Sequence, residues 1–112
     1  MKMYTEKLYS DGLITITKDT VVFRNYYFIG ISKKVPVSEI EKIVSHEPTV
    51  SNGKWRLWGS RGFNHWFPLD MLRPIRERIF FAKIKNSSFV IGFTVSNSRL
   101  VENVFRDMNL IY

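Results

Sequence analysis

Apolar and polar residues alternate with a period of two through most of the chain, in runs rich in β-branched and aromatic residues, the pattern of strands with one buried face. Residues 13–17 follow the turn-forming pair Asp11-Gly12, and Lys18-Asp19 separates them from the run 21–28, so the two predict a first hairpin. Gly30 interrupts, and residues 33–37 resume an extended segment in which Pro36 confines the chain to a sheet edge or a bend. Residues 40–46 set Ile40, Lys42 and Val44 against Glu41, Ile43 and Ser45. Ser38 and Glu41 have the spacing of a capping box, which argues for a short helix. Pro48 limits its length, and Ile40, Ile43 and Val44 lose side-chain freedom in a helix, so a strand with a turn at Ser38 is favoured.

Ser51-Asn52-Gly53 is a hairpin turn signal, because Asn and Gly tolerate the positive φ such turns need; it predicts pairing of residues 40–46 with 54–58. Residues 59–77, with Gly59, Gly62, Pro68 and Pro74, read as loops around a short extended stretch at 65–67. Residues 79–85 and 89–95 flank Asn86-Ser87-Ser88, and Phe89, Ile91, Phe93 and Val95 share one face. This is the clearest hairpin of the chain. After Val95 the period changes: Val101, Val104, Phe105 and Met108 fall on one face of a helix of about three turns, with Asn97 or Ser98 as N-cap. Such a stripe needs a sheet to cover.

The expected fold is therefore mainly β, with about seven antiparallel strands and one C-terminal α-helix in a single domain over residues 1–112. Val35-Pro36-Val37-Ser38-Glu39-Ile40-Glu41-Lys42-Ile43 resembles the "apolar-Pro-apolar-Ser-x-Ile" stretch of bacterial PH-like domains, members of the pleckstrin-homology superfold. Arg56-Leu57-Trp58-Gly59, with Trp66 shortly after, is similar to their Arg-x-x-Gly loop region, and residues 89–105 resemble their final strand, polar cap and closing helix. The resemblance implies a bent, barrel-like sheet whose end the helix plugs, and it implies binding rather than catalysis. Phosphoinositide-binding members carry a Lys-x(n)-Lys/Arg-x-Arg pattern on the first hairpin. Here Lys18 and Arg24 are followed by Tyr26 where the last basic residue should stand, so no ligand residues carry over.

Composition narrows the function classes. Of the 112 residues 45% are hydrophobic and 24% charged, the balance of a folded chain that buries roughly two-thirds of its unfolded surface. The absence of Cys excludes disulfides, thiolate nucleophiles and Cys-ligated metals, and suggests an intracellular, cytoplasmic protein. The start, Met-Lys-Met-Tyr-Thr-Glu-Lys, lacks the apolar run of an export signal, and no apolar stretch approaches the roughly 20 residues that span a bilayer, so no integral membrane segment is expected. Asn86-Ser87-Ser88 matches a glycosylation acceptor and is read as a polar turn.

Charge is concentrated. Residues 1–50 carry seven Lys/Arg against six Asp/Glu, residues 51–85 eight against two, and residues 86–112 two against two, so the middle third holds nearly all of the +7. Lys54, Arg56, Arg61, Arg73, Arg76 and Arg78 are the candidate contacts to an anion or lipid, and Trp58, Phe63 and Trp66 the candidate loop aromatics. The same interleaving suits single-stranded nucleic acid, the least favoured reading, since alternation sends half the aromatics inward. Catalysis finds little support. His46 and His65 form no metal or nucleophile-base motif, Glu39 and Glu41 read as a solvated face, and Gly59-Ser60-Arg61-Gly62 has no phosphate-binding spacing. We expect no enzyme, catalytic residue, metal or cofactor. The leading reading is a binding or assembly module acting through protein contacts, with a protein partner or itself, at open sheet edges; peripheral binding to an anionic membrane surface comes second. Lys33, Lys34 and Pro36 are the residue types that protect an edge.

Overall fold

Two sheets and one helix form from these patterns in the computed structural model, which describes residues 7–28, 30–47, 59–60, 65–70, 73 and 76–111. The first sheet is an antiparallel meander, β1 (Lys7–Ser10), β2 (Ile14–Thr17), β3 (Thr20–Phe28) and β4 (Ile31–Pro36), paired in chain order. The second contains β5 (Ile40–His46), β6 (Gly59–Ser60), β7 (His65–Phe67), β8 (Ile79–Ile84) and β9 (Val90–Phe93) in the order β5-β8-β9-β7-β6. The helix α1 spans Ser98–Asp107.

Three expectations are corrected. Nine strands occur among the described residues, not about seven. They lie in two sheets and do not close into one barrel. One pair, β7 with β9, is parallel, joining His65 to Val90 and Trp66 to Ile91. Parallel neighbours need a long connection, and residues 68–89 supply it, with β8 inside them. The turn expected at 51–53 and the strand at 54–58 lie outside the described residues.

Strict alternation also missed the bulges. In β5 the register slips between Ile40 and Lys42, so Ile40 and Ile43 are both buried although an unbroken strand would set them on opposite faces. In β3 the slip lies between Phe23 and Phe28, where Asn25 takes φ 52°. Asn is among the few residues that tolerate this backbone, and the slip turns Tyr26 to the inner face beside Phe23. The strand β1 was not expected, because its bulge between Lys7 and Tyr9 leaves only Tyr9 buried.

The core forms where the sheets meet. The Phe93 ring lies 5.0 Å from Phe23 of the first sheet, 5.5 Å from Phe80 of the second and 6.1 Å from Phe105 of α1. Val101 and Phe105 bury the helical stripe as its spacing predicts. Asn97 is the N-cap, accepting from Leu100 N at 3.1 Å. The Asp11 carboxylate accepts from Ser96 N at 2.9 Å and from Leu13 and Ile14 N, while the Tyr9 hydroxyl accepts from Asn97 N at 3.1 Å and donates to Asp11. The end of β1 and the turn into β2 thereby hold the start of the helix. Beyond the helix, Leu110 O accepts from Ile43 N at 2.8 Å, tying the tail to β5.

On the outer face of the second sheet, Gly92 sits between Phe67 and Phe81, whose rings meet edge-on at 6.3 Å. A Cβ on Gly92 would lie 2.4 Å from the Phe67 ring. Gly92→Ala should lower the unfolding free energy by about 1–3 kcal/mol, with Phe67→Leu partly restoring it, as measured by urea denaturation. An unchanged midpoint would count against this packing.

Burial, aided by the hydrogen bond to Asp11, pushes the Tyr9 hydroxyl from its usual 10 up to about 12. Across that window the folded chain keeps a proton that the unfolded chain releases, so this group makes stability fall as pH rises. Subtracting the pH–stability curve of Tyr9→Phe from that of the wild type should leave this downward slope, the other groups cancelling; a flat difference would contradict it.

Candidate functional site

The described arginines of the basic segment are engaged inside the protein. Arg73 is 1% exposed; its guanidinium lies 5.4 Å from the centroid of the Phe67 ring and donates to Pro68 O at 2.7 Å. Burial pushes it down to about 10, opposed by the charge of Asp70, and it stays protonated at neutral pH. Asp70, 4% exposed, accepts from Arg76 at 2.9 and 3.1 Å in a two-pronged pair and from the Thr94 hydroxyl. This hydrogen bonding raises the Arg76 pKa. Arg78 donates to Ser45 Oγ at 2.8 Å and Ser45 O at 2.9 Å, and its Nε lies 3.7 Å from Glu102 of α1.

Of the six candidate cations, the three that the structure describes have partners within the protein. Arg73 packs on Phe67 of β7, Arg76 pairs with Asp70, and Arg78 ties β5 to the helix. Lys54, Arg56, Arg61, Trp58 and Phe63 lie outside the described residues. The spacing Asp70-x-x-Arg73-x-x-Arg76 was visible, but order along the chain could not show that it folds onto itself.

Trp66, the remaining candidate, lines a cleft between the sheets. Its indole donates to Tyr26 O at 2.9 Å, and the two rings lie 5.7 Å apart. The cleft has a volume of about 340 Å³. Tyr26 and Ile91 are buried in it, Trp66, Ile84 and Phe89 are half-buried, and Lys33, Lys34 and Val35 of β4 form one lip. Consecutive side chains of a strand point to opposite faces, so a cleft touching all three runs along the edge of β4 rather than over one face. Lys33 Nζ stands 5.5 Å from the centroid of the Tyr26 ring.

Among the described residues no strand takes up the hydrogen-bonding capacity of that edge. Val37 N donates to Asp19 O at 2.8 Å, and Thr20↔Pro36, Val21↔Val35 and Val22↔Lys34 continue the same register. Bonded and non-bonded pairs alternate in an antiparallel ladder, so residues 33, 35 and 37 turn their backbone polar groups to β3. Ser32, Lys34 and Pro36 turn theirs outward. Pro36 therefore costs no ladder bond, and among the described residues no strand pairs with this side of β4.

Compared with known proteins, the chain matches no family model, no curated protein and no solved structure. The site rests on its own geometry.

Both histidines reach the outer face of the second sheet, flanking Phe81 at 5.8 Å for His46 and 6.3 Å for His65. Lys42 and Lys83 lie in the same shallow groove, and Lys83 pairs with Glu41 at 3.4 Å. Glu39 sits in a 3₁₀ turn, Val37–Glu39, and Glu41 at the bulge of β5, so the two acids do not form the shared strand face that alternation predicts. Among the described residues no group of three or more His, Asp or Glu could hold a metal ion, and no helix is long and apolar enough to cross a membrane.

Neutralising Asp70 leaves two guanidinium groups without their buried counter-charge. Asp70→Asn should lose about 3–5 kcal/mol of stability by denaturant titration, far more than exposed Asp19→Asn. Equal effects of the two would remove Asp70 from its central place.

Proposed function

We propose that the protein is a non-enzymatic binding module of PH-like type that acts by docking a segment of another protein on the edge of β4. The observation that carries this reading is the outer side of β4, with which no strand pairs among the described residues, beside an aromatic cleft. Extended chains add to such edges through backbone hydrogen bonds, while neighbouring pockets select side chains. A mainly β chain followed by one C-terminal amphipathic helix is the coarse element order that the resemblance implies. This supports the PH-like reading.

Attachment to an anionic membrane surface through residues 54–78 is the weaker alternative. Its three described arginines are already engaged by Pro68, Asp70, Ser45 and Glu102. Exposed basic residues elsewhere, such as Lys18 and Lys42, are spread over different strands and turns.

Peptides selected from a random library against the purified protein should shift the amide resonances of β4. Ser32→Pro, which removes an outward N–H while sparing the bonds to β3, should weaken them about tenfold without altering the thermal midpoint. Binders that map elsewhere and ignore this substitution would defeat the proposal.

A further inference from the structure

We infer that the segment docked on β4 is acidic and presents an apolar or aromatic side chain to the Tyr26–Trp66 cleft. This rests on the edge-docking reading above and specifies its partner. The argument begins with charge. Lys33 and Lys34 occupy the middle of the six-residue strand β4 and, as neighbours on a strand, project to its two faces. A chain added along the edge passes both. Lys34 is exposed, and Lys33 is held along the inner lip over Tyr26.

The same lysines disfavour a second copy as the occupant. Two β4 strands pairing about a two-fold axis at their middle would be centred on Lys34, whose backbone polar groups face outward, which sets Lys34 of one copy against Lys34 of the other. Like charges opposite one another destabilise a ladder, whereas Asp or Glu at those places is favoured. Pro36 adds to this by offering no N–H at its end of the edge. Glu39, on the turn that follows β4, is the acid that lines the cleft. It directs the partner's carboxylates to the middle of β4 and away from its C-terminal end.

The cleft supplies the apolar part. Tyr26, Trp66, Ile84, Phe89 and Ile91 surround about 340 Å³, at the small end of ligand pockets and suited to one or two large side chains of a longer segment. Its two lysines stand at the mouth and its hydrocarbon surface lies within. An extended segment alternating acidic and apolar residues meets both features, because its successive side chains point to opposite sides.

Three labelled probe peptides test this: extended, with the same Phe and Val positions, and with Glu, Ser or Lys between them. Fluorescence anisotropy should show the Glu peptide binding about five- to tenfold more tightly than the Ser peptide at low salt, with the advantage shrinking as salt rises. Lys34→Glu should invert the order, so that the Lys peptide binds best, and Phe89→Ala should weaken the Glu and Ser peptides alike. Equal binding of all three peptides, lost together in Ser32→Pro, would overturn the acidic partner and leave edge docking standing. Glu-peptide binding that survives Ser32→Pro would overturn both. A dimer of the protein alone that Ser32→Pro dissociates would replace the acidic partner with a second copy.

Discussion

The ring of Phe93 is the contact on which the architecture depends. It touches Phe23 of the first sheet, Phe80 of the second and Phe105 of the helix, so one side chain contributes to the packing of all three layers. Aromatic pairs of this kind contribute about 0.5–1.5 kcal/mol each beyond the area they bury, and an edge-on ring also fixes the angle between the surfaces it joins. The inner face of β3 runs from Phe23 in this core to Tyr26 in the cleft, so the core and the cleft beside the proposed docking edge share one strand.

Where β3 leaves regular geometry it becomes useful. Asn25 in a left-handed conformation interrupts the ladder, lets its carbonyl accept from Leu69 N at 3.1 Å and turns Tyr26 inward to meet Trp66. Two hydrogen bonds, to Asn25 O and Tyr26 O, fasten the chain around β7 to this bulge. A bulge bends a strand and re-aims its side chains, and here it builds one wall of the cleft while joining the sheets.

Positive charge in a segment of sequence is not positive charge on a surface. The excess between residues 51 and 85 is genuine, yet Arg73 meets Pro68 O and Arg76 meets Asp70 within the protein. A buried cation persists only where acceptors surround it, and one carboxylate with a carbonyl and an aromatic face provides that here. The lysines of β4, drawn from a part of the chain with almost balanced charge, stand beside the cleft instead. Local density along the chain does not show which cations meet solvent, because folding decides that for Arg73 and Arg76.

The sequence by itself determined most of the elements, β1 and β6 excepted. Alternation in residues 13–17, 40–46 and 89–95 and the 3.6-residue stripe from Val101 to Met108 depend on side chains a few positions apart, which is why the strands, the helix and its Asn97 cap were legible. Pro36 likewise announced an edge, because a missing N–H is a local fact. Only the tertiary structure decided that the strands divide into two sheets, that β7 runs parallel to β9, that Asp70 gathers two arginines and that Tyr26, Trp66 and Phe89 share a cleft. Each of these joins residues far apart in the chain, and bulges at Asn25 and Glu41 shift which face a side chain takes. A one-residue slip reverses every later position, so periodicity alone could not place them.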